Sequence, residues 1–570
     1  MWLKLITAIM WAQVAATRHT HEVFSNADGK LSLRTITLSA LSDDVLVSGS
    51  YLGDNSLQGW NSLEVAGTMN SGTAEEYLTM RKAMGYLEGQ LTCSDIVSFY
   101  PNFYSDMWGD AETPGDDTLD FIRSNYDWTL SMAEKNWQTD EYWFAQLGTL
   151  RQMEGMLDGL RSSPCLVQVQ PSDKKWSWAS VAVDPKIEQL LLINAWGDLY
   201  QIAMKVQDPT KDLTERLYGV GRHIKMQRCS AMVKVLPGNS DVLFAHNTWD
   251  GFEALGPRIF KHYSLPMIPS SSGSSSSSIV YDTYFSSSPL LLSSVDDFFV
   301  VNGRATLGVT ETTNSLYNVK LLTKVVPESV LSWMRSTAAN MLATSGSAWT
   351  GLFSRYQSGT YTNQWMVLDF GLFTPGVAPP AGFFSVLEEV PGQIVSQDMT
   401  SVLVDQSYWR SFNSPYFPAI QQASGYATLC KSGVDTACYE KAPRAVLFAE
   451  YQEGVTDVAS MQAIMQYNNY TMDAASAGDS CQAIACRGDL ESSNPTPMGA
   501  LDAKLGSAAL SKATPGQPFR PTMFAHLGPA TSGGSLPKFC WTAFDQGAKK
   551  FSHVGQPDCF DFDWQTFGNM

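Results

Sequence analysis

The sequence predicts a mixed α+β protein, and three observations carry that prediction. Residues 74 to 160 place apolar side chains at three- and four-residue intervals, the spacing of amphipathic helices. From Cys229 onward, β-branched and aromatic runs alternate with Gly and Pro punctuation, the pattern of strands and turns. The tail is rich in turn-forming residues and cysteine. With 570 residues, of which 44% are hydrophobic, the chain has ample material for a large core.

In chain order, the first element is MWLKLITAIMWAQVAA, residues 1–16, where Lys4 precedes an apolar stretch from Leu5 to Trp11. Val14 and Ala16 then occupy cleavage-site positions, so the segment reads as a signal peptide. The apolar stretch is shorter than the ~20 residues of a spanning helix, and no later run is long enough. A secreted protein or one of the lysosomal lumen is expected.

Residues 17–228 read as an N-terminal chain that is largely helical, carried by YLTMRKAMGYLEGQL and YWFAQLGTLRQMEGMLDGLRS. WSWASVAVD and IEQLLLINAWGDLYQIAM follow, then the polar, basic KDLTERLYGVGRHIKMQR. Residues 229–570 open with CSAMVKVLPGNSDVLFAHNTW, two strand-like runs around Pro237-Gly238-Asn239-Ser240, a strong hairpin signal. Residues 269–278 are a serine-glycine run too polar to build a core and read as a surface insertion. Further strands are expected in FFVVNGRATLGVTETT, QWMVLDFGLF and GFFSVLEEVPGQIVSQDMT, and there is no internal repeat.

Asp plus Glu number 56 against 38 Lys plus Arg, a net charge of −18, which is the wrong balance for a nucleic-acid binder. An acidic excess with few bases suits work at low pH. Nine cysteines in an oxidising compartment leave at least one unpaired. Cys430 with Cys438, Cys481 with Cys486, and Cys540 with Cys559 are neighbours that local bridges would join, although spacing does not fix connectivity. With only seven histidines, no spacing makes a zinc site, and no cofactor or metal is implied. Asn469-Tyr470-Thr471 is an N-glycosylation acceptor expected at the surface.

Cys229 begins a strand directly after the basic stretch. Cleavage between Arg228 and Cys229 would place a new α-amine beside the thiol. That amine, with an ordinary pKa of ~7.7–8.0, can take the thiol proton and later protonate a leaving group. One residue then supplies nucleophile and base. If the turn pairs Val235 with Val242, Thr248 falls opposite Cys229 and His246 shares its face; a one-residue shift would present Asn247 and Trp249 instead. A buried structural thiol or a disulfide half is the competing reading of the same spacing.

The run from Cys229 to Lys234, then Leu236-Pro237-Gly238 and Ala245-His246-Asn247-Thr248-Trp249, resembles the signature of the phospholipase B-like family. SGTYTNQWMVLDF (358–370), LEEVPGQIVSQDMT (387–400), YWRSFNSPYF (408–417), PRAVLF (443–448), SMQAIMQYNNY (460–470) and HVGQPDCFDF (553–562) resemble further family blocks, in the family's order. The resemblance implies an N-terminal nucleophile hydrolase fold, two stacked antiparallel β-sheets between helical layers, and maturation into a smaller and a larger chain. It implies an acyl hydrolase that removes fatty acyl chains from glycerophospholipids through Cys229. His246, Asn247 and Trp249 would orient the amine or wall the pocket. Thr312 and Thr313 resemble the family's threonine pair, which would bring a hydroxyl near the sulfur. Asn363 and Asn413 are candidates for the amide that donates to an oxyanion, a task for one of them. Arg444 would fix an anionic substrate group or nearby carboxylates. The serine run at Ser270 departs from the family pattern and leaves the pocket rim undefined.

The partners implied are a phospholipid or other acylated small molecule and a transiently contacted membrane surface; a homodimer is compatible with the reading, nucleic acid is not. Two rivals use the same residues: an amidase acting on acylated amines, and a non-catalytic lipid-binding glycoprotein. A serine hydrolase is disfavoured by the lack of a Gly-x-Ser-x-Gly elbow, and a metallohydrolase by the lack of His-Glu-x-x-His.

Overall fold

The computed structural model describes residues 20–25, 30–36, 45–53, 59–70, 72–108, 114–168, 185–206, 228–266, 280–513, 518–545 and 551–568. The signal-peptide, WSWASVAVD, basic-stretch and serine-run readings fall outside these residues, as does all of the chain immediately before Arg228.

Alternating apolar residues build two sheets. The larger has eleven strands, running in space from Gln393–Asp398 through Phe384–Val390, Asn363–Asp369, Thr306–Thr313, Phe298–Asn302, Val280–Ser287 and Arg258–Pro266 to four strands from the start of the chain. The smaller, of seven, centres on the hairpin Arg228–Val235 and Val242–Gly251, flanked by Tyr408–Ser411 on one side and by Asp502–Ser507 and Met523–Leu527 on the other. Stacked aromatic pairs join the sheets: Phe244 lies 4.7 Å from Phe298 and Phe260 lies 4.3 Å from Phe567. Helices cover both outer faces. Ala74–Leu91 packs on the large sheet, and Val458–Met465 packs on the small one. The layering is thus α, β, β, α, as expected.

Two details differ from the expected arrangement. Four strands, Thr20–Ser25, Leu31–Ile36, Val45–Leu52 and Trp60–Gly67, precede the helices of the first portion. They are six to eight residues long, and Val45–Leu52 and Trp60–Gly67 bury largely alternate residues as strands of a half-covered sheet do. Their junction is also the one parallel pair among the described strands, Trp60–Gly67 beside Arg258–Pro266; the remaining pairs are antiparallel.

The helical part begins where Thr73 accepts from the Glu76 N–H at 3.2 Å, an N-cap on Ala74–Leu91. Asp140 caps Glu141–Arg161 in the same way. The two helices touch backbone to backbone: a Cβ at Gly85 would meet the Gln152 carbonyl at 1.8 Å, and one at Gly155 would meet the Lys82 carbonyl at 1.8 Å. The buried pair Lys261–Glu88, at 2.6 Å, ties the first helix to the sheet. Such a pair fixes register more than it adds stability, because both ions lose water. Four disulfides brace the shell: Cys93–Cys165, Cys430–Cys438, Cys481–Cys486 and Cys540–Cys559. Eight cysteines are thereby paired, and Cys229 is the free, buried ninth.

Candidate active site

The site grows from the hairpin register. Val235 pairs with Val242 and Cys229 with Thr248, the register set by the turn at Pro237–Asn239, where Gly238 takes a φ of 68°. Alternation then puts Cys229, Ala231 and Val233 on one face with Thr248, His246 and Phe244. Phe244 stacks on the large sheet, so the Cys229 thiol lies on the inter-sheet face. Ser230, Asn247 and Trp249 belong to the opposite face, where Asn247 donates to the carbonyls of Met465 at 2.8 Å and Ile484 at 3.1 Å. The peptide between Arg228 and Cys229 is part of the same strand, with Arg228 opposite Trp249.

The backbone of Cys229 is clamped from both ends. Its N–H donates to Asn413 Oδ1 at 2.9 Å, and its carbonyl accepts from Arg444 Nη1 at 2.6 Å. Arg444 closes the ring by donating from Nη2 to Asn413 Oδ1 at 2.8 Å, and its guanidinium lies 4.4 Å above the Trp249 ring. Asn413 holds a left-handed φ of 67°, a conformation asparagine tolerates better than most residues. Its Nδ2 is occupied by the Thr313 carbonyl at 2.6 Å. On the other face, Asn247 Oδ1 accepts from the Ser230 N–H and from Trp249 Nε1, at 2.9 and 2.8 Å.

Around the thiol the groups are buried. Cys229, His246 and Glu311 bring a sulfur, a ring nitrogen and a carboxylate oxygen within 4.8 Å of one another. Burial pushes the thiol well above its ordinary pKa, and the nearby Glu311 adds to the rise. Burial also drives His246 well below the usual imidazole range, with Lys504 acting in the same direction. Glu311 is raised by its own burial. Both shifts favour the neutral forms of the imidazole and the thiol. Behind it lies a compensated network: Lys504 reaches Thr248 Oγ1 at 2.6 Å, Asp296 at 2.6 Å and Asp502 at 2.8 Å. Arg258 pairs with the same two aspartates.

The cleft before the thiol, lined by Trp196, Thr248, Arg258, Val295 and Tyr361 among others, offers about 10 Å³, room for one water. A larger cavity of about 680 Å³ lies elsewhere, on residues including Ser48, Glu64, His262 and Tyr284, and Cys229 does not line it.

Of the residues expected from sequence, Cys229, Asn413 and Arg444 meet directly, and His246 joins them through the thiol cluster. Asn247 and Trp249 support the strand from its far face. Thr312 is spent between strands, its hydroxyl 2.6 Å from Ser411 Oγ and 3.3 Å from the Asn413 N–H. Asn363 sits opposite Thr313, buried, with neither amide atom hydrogen-bonded. Asn413 spends one of its two amide hydrogens on the Thr313 carbonyl, whereas Asn363 has both to spare. Arg444 grips the Cys229 carbonyl, Ser230 Oγ and Asn413 Oδ1 rather than a carboxylate in these three contacts. Asn469 is half-exposed and follows the helix Val458–Met465. Sequence reasoning did not single out Glu311, Tyr361 or Lys504: the first two lie within the quoted runs GVTETT and SGTYTNQWMVLDF but were passed over for their neighbours, and Lys504 lies far along the chain on a strand that pairs with the hairpin.

A family model described as phospholipase B matches residues 47–567. Phospholipase B-like 1 of Homo sapiens is 35% identical over 519 residues, covering 91% of this chain and 86% of that protein. Phospholipase B-like protein G of Dictyostelium discoideum is 30% identical over 580 residues, covering 96% and 90%. Phospholipase B of Crotalus adamanteus is 32% identical over 512 residues, covering 89% and 86%.

Proposed function

The chain belongs to the phospholipase B family, and from that premise we propose that it is an acyl hydrolase whose nucleophile, Cys229, becomes an N-terminus by cleavage after Arg228. The observation that carries the proposal is the pairing state of the cysteines together with the clamp: Cys229 alone among the nine is unbridged, and its nitrogen and carbonyl are both held.

In the proposed mechanism, the nitrogen that donates to Asn413 Oδ1 becomes the α-amine. Asn413 fixes one of its hydrogens, which orients the lone pair. The Arg444 cation beside it disfavours protonation, so the amine stays neutral and accepts the thiol proton. Sulfur attacks the acyl carbonyl carbon, and Asn363 is our candidate donor to the oxyanion. Collapse expels the glycerol oxygen, which takes the proton back from the ammonium, and leaves a thioester. Water, deprotonated by the same amine, then releases the fatty acid. The acidic composition and four disulfides support a lysosomal-lumen or secreted setting. No helix among the described residues is long and apolar enough to cross a membrane.

Product analysis tests the reading. Mature protein incubated with phosphatidylcholine vesicles should release free fatty acid, and prior thiol alkylation should block that release. Release of fatty acid from N-acyl amines but not from phospholipid would favour the amidase, and lipid binding without any release the non-catalytic rival.

A further inference from the structure

We propose that Cys229, His246 and Glu311 form a binding site for a thiophilic divalent cation, zinc by its chemistry, whose occupancy silences the nucleophile. Each residue offers one ligand atom, and the three atoms lie within 4.8 Å of one another in the core. Two of them lack other employment. Neither ring nitrogen of His246 has a hydrogen-bond partner, and Glu311 Oε2 has none, although both residues are fully buried. Buried polar atoms are nearly always satisfied, so two unpartnered groups converging on one sulfur point to a missing ligand.

The donor set fits zinc. Sulfur, imidazole and carboxylate are its usual ligands, at about 2.3, 2.0 and 2.0–2.2 Å, which places tetrahedral donors about 3.3–3.8 Å apart. The three atoms need to draw in by about 1 Å, a side-chain rotation rather than a backbone shift. Thiolate, carboxylate and neutral imidazole also cancel the dication, so the filled site adds no net charge to the core. Glu311 has an outer partner, since its Oε1 accepts from Tyr361 at 3.3 Å. Sequence spacing could not reveal the site because its ligands are 17 and 65 residues apart (229, 246, 311) on three different strands.

The fourth position distinguishes the two forms of the chain. An amide nitrogen does not ligate zinc, whereas a free amine on Cys229 closes a five-membered chelate with its own sulfur. Tighter binding after cleavage rests on the proposed function; the three-residue site does not.

Cobalt(II) titration of the metal-stripped mature protein tests this without any substrate. One equivalent should bind with a thiolate-to-cobalt charge-transfer band that zinc displaces. Cys229→Ala should lose the band, and His246→Ala and Glu311→Gln should each weaken binding by at least about tenfold. X-ray absorption on the zinc-loaded wild type should show one sulfur among nitrogen and oxygen neighbours, a result independent of whether the variants fold. Absence of the band, a first shell without sulfur, or unchanged affinity in folded His246 and Glu311 variants would overturn the site. A protein inert toward lipid that still gave the band would overturn the hydrolase reading alone.

Discussion

Replacing Cys229 by Ala is expected to yield one uncut chain and to lower acyl release by at least about 10³-fold, a typical scale for removing a nucleophile. The reason is local. Sulfur on this residue would be both attacking atom and partner of the amine, and no second thiol among the described residues is free to substitute, since the other eight are bridged. The alanine also fits, because Cys229 occupies a cleft with little spare volume and loses only one atom. Cys229→Ser should be processed in part and turn over more slowly, since a hydroxyl is the poorer nucleophile near neutral pH. Reducing gel electrophoresis and fatty-acid release measure both effects. An alanine variant that hydrolyses phospholipid at the wild-type rate would contradict the assignment.

The second large effect is expected at Arg444. Its guanidinium donates to the Cys229 carbonyl, to Ser230 Oγ at 3.2 Å and to Asn413 Oδ1, and it covers Trp249. Arg444→Gln removes the fork and leaves the Cys229 carbonyl without that charged donor, and the misplacement of the reacting residue should lower turnover by about 10²-fold. The pH profile separates positioning from mere packing. The cation opposes protonation of the amine, so its loss raises the amine's pKa. Activity requires the neutral amine, and the acid limb of the profile should therefore move to higher pH in Arg444→Gln. Arg444→Lys keeps the charge but not the planar fork, and should lose turnover with a smaller displacement of the limb. An acid limb unmoved in both variants would show that Arg444 does not act on the amine.

How far the sequence could be read depended on whether a feature is local. The hairpin register follows from one turn and from two runs of alternating residues, so Thr248 opposite Cys229 was legible without any structure. The helices Ala74–Leu91 and Glu141–Arg161 follow from periodicity and carry recognisable caps. The three short-range disulfides were visible as candidates, whereas Cys93–Cys165, separated by 72 residues, was not. The opening four strands pair mostly with one another, and only Trp60–Gly67 joins them to the rest of the large sheet beside Arg258–Pro266, a long-range contact that no local pattern announces. Within the site, the same rule holds. Cys229 and His246 share a hairpin, but Glu311 arrives from another sheet, and the engagement of the Asn413 amide by Thr313 depends on a left-handed turn after Tyr408–Ser411.

The most direct test is chemical. A 2-cyanobenzothiazole condenses only with a 1,2-aminothiol, that is, with a cysteine whose amine and sulfur are both free. Applied to the mature protein after denaturation without reductant, followed by peptide mapping, it should modify the larger chain once, at Cys229. An unmodified Cys229 found inside a peptide that continues back through Arg228, or bridged to another cysteine, would contradict the account.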